Sequence, residues 1–97
     1  MTDTEISRAL ALAIGWSNVT SGYSGVYVHE RRPVIMCRRF DYRDWAVAGP
    51  IAERYDCFPQ STGATEWYSY VPGKGRALAD TPQKAIALAV INAKGKK

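Results

Sequence analysis

Thr65-Glu-Trp-Tyr-Ser-Tyr-Val71 reads as extended chain, because aromatic and β-branched residues favour a pleated, half-buried backbone. Alternation puts Thr65, Trp67, Ser69 and Val71 on one face and Glu66, Tyr68 and Tyr70 on the other. One of the two aromatic sets is therefore left at the surface, where interface aromatics are often found. Downstream, Pro72-Gly-Lys-Gly75 is a loop; it lacks the Gly-x-x-x-x-Gly-Lys-Ser/Thr spacing of a phosphate cradle. Next comes a helix capped by Asp80 or Thr81, with Pro82 in its first turn, a buried stripe of Ala85, Ile86, Ala89, Val90 and Ala93, and Gly95 as its stop.

Upstream, Pro59 to Ala64 is a polar turn, and Cys57-Phe58 begins a third strand. Before it, Asp44-Trp-Ala-Val-Ala-Gly-Pro-Ile-Ala-Glu-Arg-Tyr55 has helical periodicity with Trp45, Ala48, Ile51, Ala52 and Tyr55 on one apolar face. Gly49-Pro50 in its middle would cost about 1 and about 3 kcal/mol in an ordinary helix interior. Two readings compete: a helix over 42–55 capped by Asp41 and bent at the proline, or a short turn followed by a helix starting at Pro50. The face stays in phase across the break, which favours the bent helix.

Nearer the start, Val26-Tyr-Val28 and Val34-Ile-Met-Cys37 form a hairpin around Glu30-Arg-Arg-Pro33, and Asn18 to Gly25 reads as a loop. Thr2-Asp-Thr-Glu5 is a capping box for a helix over 3–14 with Ile6, Leu10, Ala13 and Ile14 inward and Gly15 at its end. The order is α-β-β-α-β-β-α without an internal repeat. The expected fold is a single α+β domain over 1–97, a small, mainly antiparallel sheet of three or four strands packed with three helices.

The composition, 46% hydrophobic and 23% charged, is that of an ordinary globular chain. No apolar run approaches the roughly 18–20 residues that span a bilayer, and the first fifteen residues lack a basic leader, so a cytoplasmic protein is expected. Of 13 Lys and Arg, Lys94, Lys96 and Lys97 lie in the last four positions, leaving ten against nine acids. Cys37 and Cys57 are expected as two buried free thiols. With His29 as the sole histidine, a zinc site lacks its usual four ligands, so no metal or cofactor is expected.

The second half resembles the NinX-like proteins, a small phage family of unknown function grouped with the phage ABA-sandwich domains. The matching residues are Asp44-Trp45, Gly49-Pro50-Ile51, Glu53-Arg54, the aromatic segment around Trp67, and Asp80-Thr81-Pro82 opening the helix through Ala85–Ala89. They span roughly residues 40–95. The resemblance implies a phage or prophage origin and a layered α/β/α fold, and it transfers no catalytic residue.

Three constellations remain. Asp41, Asp44, Glu53 and Asp56, extended by Glu66, form a candidate acidic ridge that would enter a Lys/Arg-rich groove as a phosphate mimic, with Tyr68 and Tyr70 adding contact area. The plain alternative is helix-start and solvated positions. Arg31, Arg32, Arg38, Arg39 and Arg43, interleaved with Tyr27, Phe40 and Tyr42, form a candidate nucleic-acid segment, although strand alternation would split them between two faces. His29 has no nucleophile placed with it, so no enzyme activity is expected. Trp16, Trp45 and Trp67 are expected in the core. The leading expectation is a phage inhibitor that binds a host defence complex stoichiometrically, most concretely an anti-CRISPR protein that blocks DNA entry to a type I-F surveillance complex. The alternatives are a nucleic-acid-binding accessory protein and a phage structural or assembly protein.

Overall fold

The computed structural model describes residues 2–22, 25–30 and 36–95. In chain order they form α1 (Asp3–Ala13), β1 (Val19–Gly22), β2 (Gly25–Glu30), β3 (Met36–Arg39), α2 (Trp45–Tyr55), β4 (Gln60–Ser61), β5 (Trp67–Val71), β6 (Gly75–Ala79) and α3 (Pro82–Gly95). Short polar signals set the helix ends. Thr2 Oγ1 accepts from the Glu5 amide (3.2 Å) and Glu5 Oε1 accepts from the Thr2 amide (2.9 Å), closing the capping box. At the other end of α1, Gly15 takes φ +110°. The Gly15 and Trp16 amides then donate to the carbonyls of Leu12 and Ala11, which satisfies two groups the helix leaves open. Thr81 Oγ1 caps α3 through the Lys84 amide (3.2 Å), and Pro82 takes the first helical position.

α2 is one helix that runs through Gly49-Pro50. Its cap is Asp44, whose side chain accepts from the Ala46 amide, and not Asp41. Residues 42–44 belong to a turn, closed by the Asp44 amide on the Asp41 carbonyl (3.1 Å). Pro50 removes the donor for the Ala46 carbonyl, but both residues are exposed, so water can satisfy that carbonyl.

The strands form two antiparallel three-stranded meanders, β1-β2-β3 and β4-β5-β6. The α+β class, the three helices and the antiparallel pairing match the sequence reading; in place of one sheet of three or four strands there are two of three, in the order α-β-β-β-α-β-β-β-α. β1 falls in the expected loop, β4 starts two residues after Phe58, and β6 starts at Gly75, the last residue of the expected 72–75 loop. The expected turn at Arg31, Arg32 and Pro33, with Val34 and Ile35, lies outside the described residues, as do Tyr23, Lys96 and Lys97.

α3 is the central element. It packs on β5 and β6 and also on α1 and α2, while α1 covers β1 and β2. Ala85, Ile86, Ala87, Ala89 and Val90 are all fully buried, the signature of a helix covered on several sides. Its alanines permit a close approach: a Cβ on Gly75 of β6 would lie 2.5 Å from the Ala93 nitrogen and 2.9 Å from the Ala89 oxygen. Ile6, Leu10, Val26, Val28 and Cys57 complete the deepest layer. Two expectations are corrected. Trp45, in the first turn of α2, is 48% exposed, and Cys37 is exposed on β3.

Candidate functional site

The second sheet has one covered face and one open face. Along β5, Ser69 and Val71 are buried, and the Ser69 hydroxyl donates to the Cys57 carbonyl (2.6 Å). Burial pushes the Cys57 thiol up, so it stays protonated and apolar. Tyr68 and Tyr70 alternate onto the other side, their ring centroids 5.7 Å apart and tilted by 31°. Register sets Tyr70 opposite Arg76, and Tyr68 between Gln60 and Leu78. Tyr70 is 46% exposed and Leu78 55%. Phe58, two residues ahead of β4, is 58% exposed.

Charge is ordered along this face. Lys74 and Arg76 stand at the end that carries the 71–75 turn. Glu66, just before β5, and Asp80, just after β6, flank the Trp67–Ala79 pair at the opposite end, and all four charged residues are exposed. Glu66 Oε1 accepts from Thr62 Oγ1 (3.0 Å). The face therefore runs from acidic to basic with aromatic and aliphatic side chains between.

The other sequence-selected acids have separate local partners. Asp41 receives two bonds from the Arg43 guanidinium, 3.0 Å from Nε and 2.8 Å from a terminal nitrogen, with an Arg39 nitrogen at 3.8 Å. The Arg43 bonds hold the Asp41 carboxyl below the usual carboxylate range. Arg43 also reaches Asp3 (3.4 Å), and Asp3 accepts from the Tyr42 hydroxyl. Burial, then the Asp3 bond, raise the Tyr42 phenol well above its ordinary value, so it remains a donor. A cavity of about 30 Å³ beside this cluster has room for water but not for a metabolite. Asp44 caps α2, and Glu53 follows nine residues on, half a turn round the axis and about 14 Å along it. Asp56 ends α2 in the left-handed region at φ 53°.

The arginines are divided in the same way. Arg39 pairs across the ladder with Tyr27 and Arg38 with Val28, so the two alternate between faces, and Arg43 is engaged by Asp41 and Asp3. Arg31 and Arg32 lie outside the described residues. His29 stands opposite Cys37 and shares a hydrogen bond with Thr20 (3.0 Å). Among the described residues, no three His, Cys, Asp or Glu side chains gather as a metal ion would need, and no helix is long and apolar enough to cross a membrane.

The sequence reading selected Glu66, Tyr68 and Tyr70 on this face but passed over Phe58, Arg76 and Leu78. The alternation of Arg76-Ala-Leu-Ala79 was the available signal for β6. A scan against protein-family models finds no match for this chain, and a search of curated proteins finds none either.

Proposed function

We propose that this chain is a binding protein without catalytic chemistry, and that its working surface is the open face of the second sheet. Of the five exposed large apolar side chains among the described residues, Tyr70 and Leu78 belong to this one face, Tyr68 lies between them and the edge strand, and Phe58 stands just ahead of that strand. Such gathering is what distinguishes a contact surface from scattered exposure. The NinX-like resemblance adds the biological setting: a phage or prophage inhibitor that occupies a host defence complex stoichiometrically, in its sharpest form an anti-CRISPR protein that keeps target DNA out of a type I-F surveillance complex. Tagged protein should capture such a complex from host extract, and the capture should compete with target DNA. A Tyr70→Ser/Leu78→Ser variant should lose it with its fold intact. Recovery of no Cas protein removes the host assignment; unchanged capture by the double variant removes the surface.

Asp56 favours a second version, in which acids contact a basic groove. A left-handed helix end is served best by Gly or Asn, and a carboxylate at the negative helix pole is locally unfavourable. An exposed acid at such a position is a candidate for selection by a partner rather than by the fold. In this version Asp56→Asn with Glu53→Gln weakens capture, and the tyrosine-face variant leaves it unchanged.

A further inference from the structure

The open face of the second sheet has a charge order that complements itself. It is built of three rows across the strands. The middle row is Gln60, Tyr68 and Leu78. On one side of it lie Tyr70 and Arg76; on the other, carrying the alternation one step past the strand ends, come Thr62, Glu66 and Asp80, with the Thr62 amide on the Glu66 carbonyl. We infer that the occupant of this face in the free protein is a second copy of the same chain, stacked face to face about a two-fold axis that runs along the middle row. The inference rests on reading the face as a contact surface, not on the identity of any host partner.

The geometry of a two-fold decides the pairing. Rotation about an axis along the middle row turns the sheet over and reverses its strands, but keeps each strand above its own equivalent. Leu78 then meets Leu78 and Tyr68 meets Tyr68 across the axis. Arg76 faces Asp80 of the other copy, and the Tyr70 hydroxyl faces Glu66. Each charged contact occurs twice, as an isologous interface requires. Sheets stack about 10 Å apart, a gap that Tyr, Leu and Arg side chains fill and Ala does not. Turning the sheets so that strands run parallel would lay the basic end over the basic end and the acidic end over the acidic end, so the charges select one orientation.

The face is small. Three strands at about 4.8 Å and three rows at about 6.8 Å give far less than the roughly 800 Å² per partner of a standard interface. The dimer is therefore a weak one, populated at high protein concentration and displaceable by a larger partner.

Sedimentation equilibrium from about 10 µM to about 1 mM tests this. The wild-type protein should pass from monomer to dimer within that range. Arg76→Glu alone and Asp80→Lys alone should each weaken self-association about tenfold or more, because each places like charges together twice. Mixed in equal amounts, the two variants should recover wild-type association. In the mixed pair the two introduced charges, opposite in sign, face each other, and the unaltered Asp80 of one chain faces the unaltered Arg76 of the other. Leu78→Lys should abolish association, with circular dichroism reporting an intact fold. A monomer throughout the range, or a mixture that associates no better than either variant alone, overturns the inference. A chain that dimerises this way yet captures no host complex overturns the host reading alone; one that captures a complex but never dimerises overturns the dimer alone.

Discussion

On its outer side the first sheet carries Thr20, Tyr27, His29, Cys37 and Arg39, and the second carries Gln60, Tyr68, Tyr70, Arg76 and Leu78. Both are antiparallel meanders with one face on a helix. The first tolerates water on its other face; the second leaves aromatic and aliphatic surface there. Their anchoring differs as well. β3 leads into a polar strap: the Tyr42 amide donates to Ser7 Oγ (3.1 Å), and Asp3, Tyr42, Arg43 and Asp41 tie the following turn to α1. β6 gains its hold by approaching the α3 backbone directly at Gly75. An element locked by close packing can leave its other face free for contacts, whereas one held in part by exposed charge pairs depends more on its solvent.

The contrast can be broken at three points. Gly75→Ala should be the most damaging, at about 3 kcal/mol or more, since the new methyl would meet backbone 2.5 Å away that no rotamer can clear. Urea denaturation reads this directly, and a loss below about 0.5 kcal/mol would mean that β6 is not locked by close approach. Ser69→Ala should cost about 1–3 kcal/mol, because it strands the buried Cys57 carbonyl; Ser69→Thr, which keeps the hydroxyl, separates that loss from packing.

Asp41→Asn should cost least, about 1 kcal/mol or below at neutral pH, since its partners are largely exposed. Its pH dependence fixes the cause. The folded carboxyl is held below its unfolded value, so its contribution is complete above the ordinary Asp range and vanishes as pH falls through the lowered folded value. Wild type and variant should therefore converge in thermal stability as pH drops below about 4. A gap that persists in acid would assign the effect to hydrogen bonding in the turn rather than to charge.

The helices were legible because their ends are written locally: Thr2 with Glu5, Gly15, and Thr81 with Pro82 each act within four residues. The cap of α2 was misplaced because Asp41 and Asp44 both suit the role, and the Arg43 fork that claims Asp41 also draws on Asp3, distant in sequence. β1 was missed because Val19 and Thr20, though β-branched, are set among Asn18, Ser21, Gly22 and Gly25, which read as loop; pairing with β2 supplies the structure. β6 was missed because Arg-Ala-Leu-Ala lacks β-branched residues and is held by β5 and α3. Half of the candidate site followed from alternation within β5. The rest needed the register that brings β6 beside it, which is long-range information.

Because α3 is packed by β5 and β6 as well as by α1 and α2, neither half of the molecule can open without uncovering its alanine-rich surface. The first meander reaches that surface only through α1, whereas β5 and β6 lie on it directly, so freeing the second sheet bares the centre of the core and freeing the first bares α1.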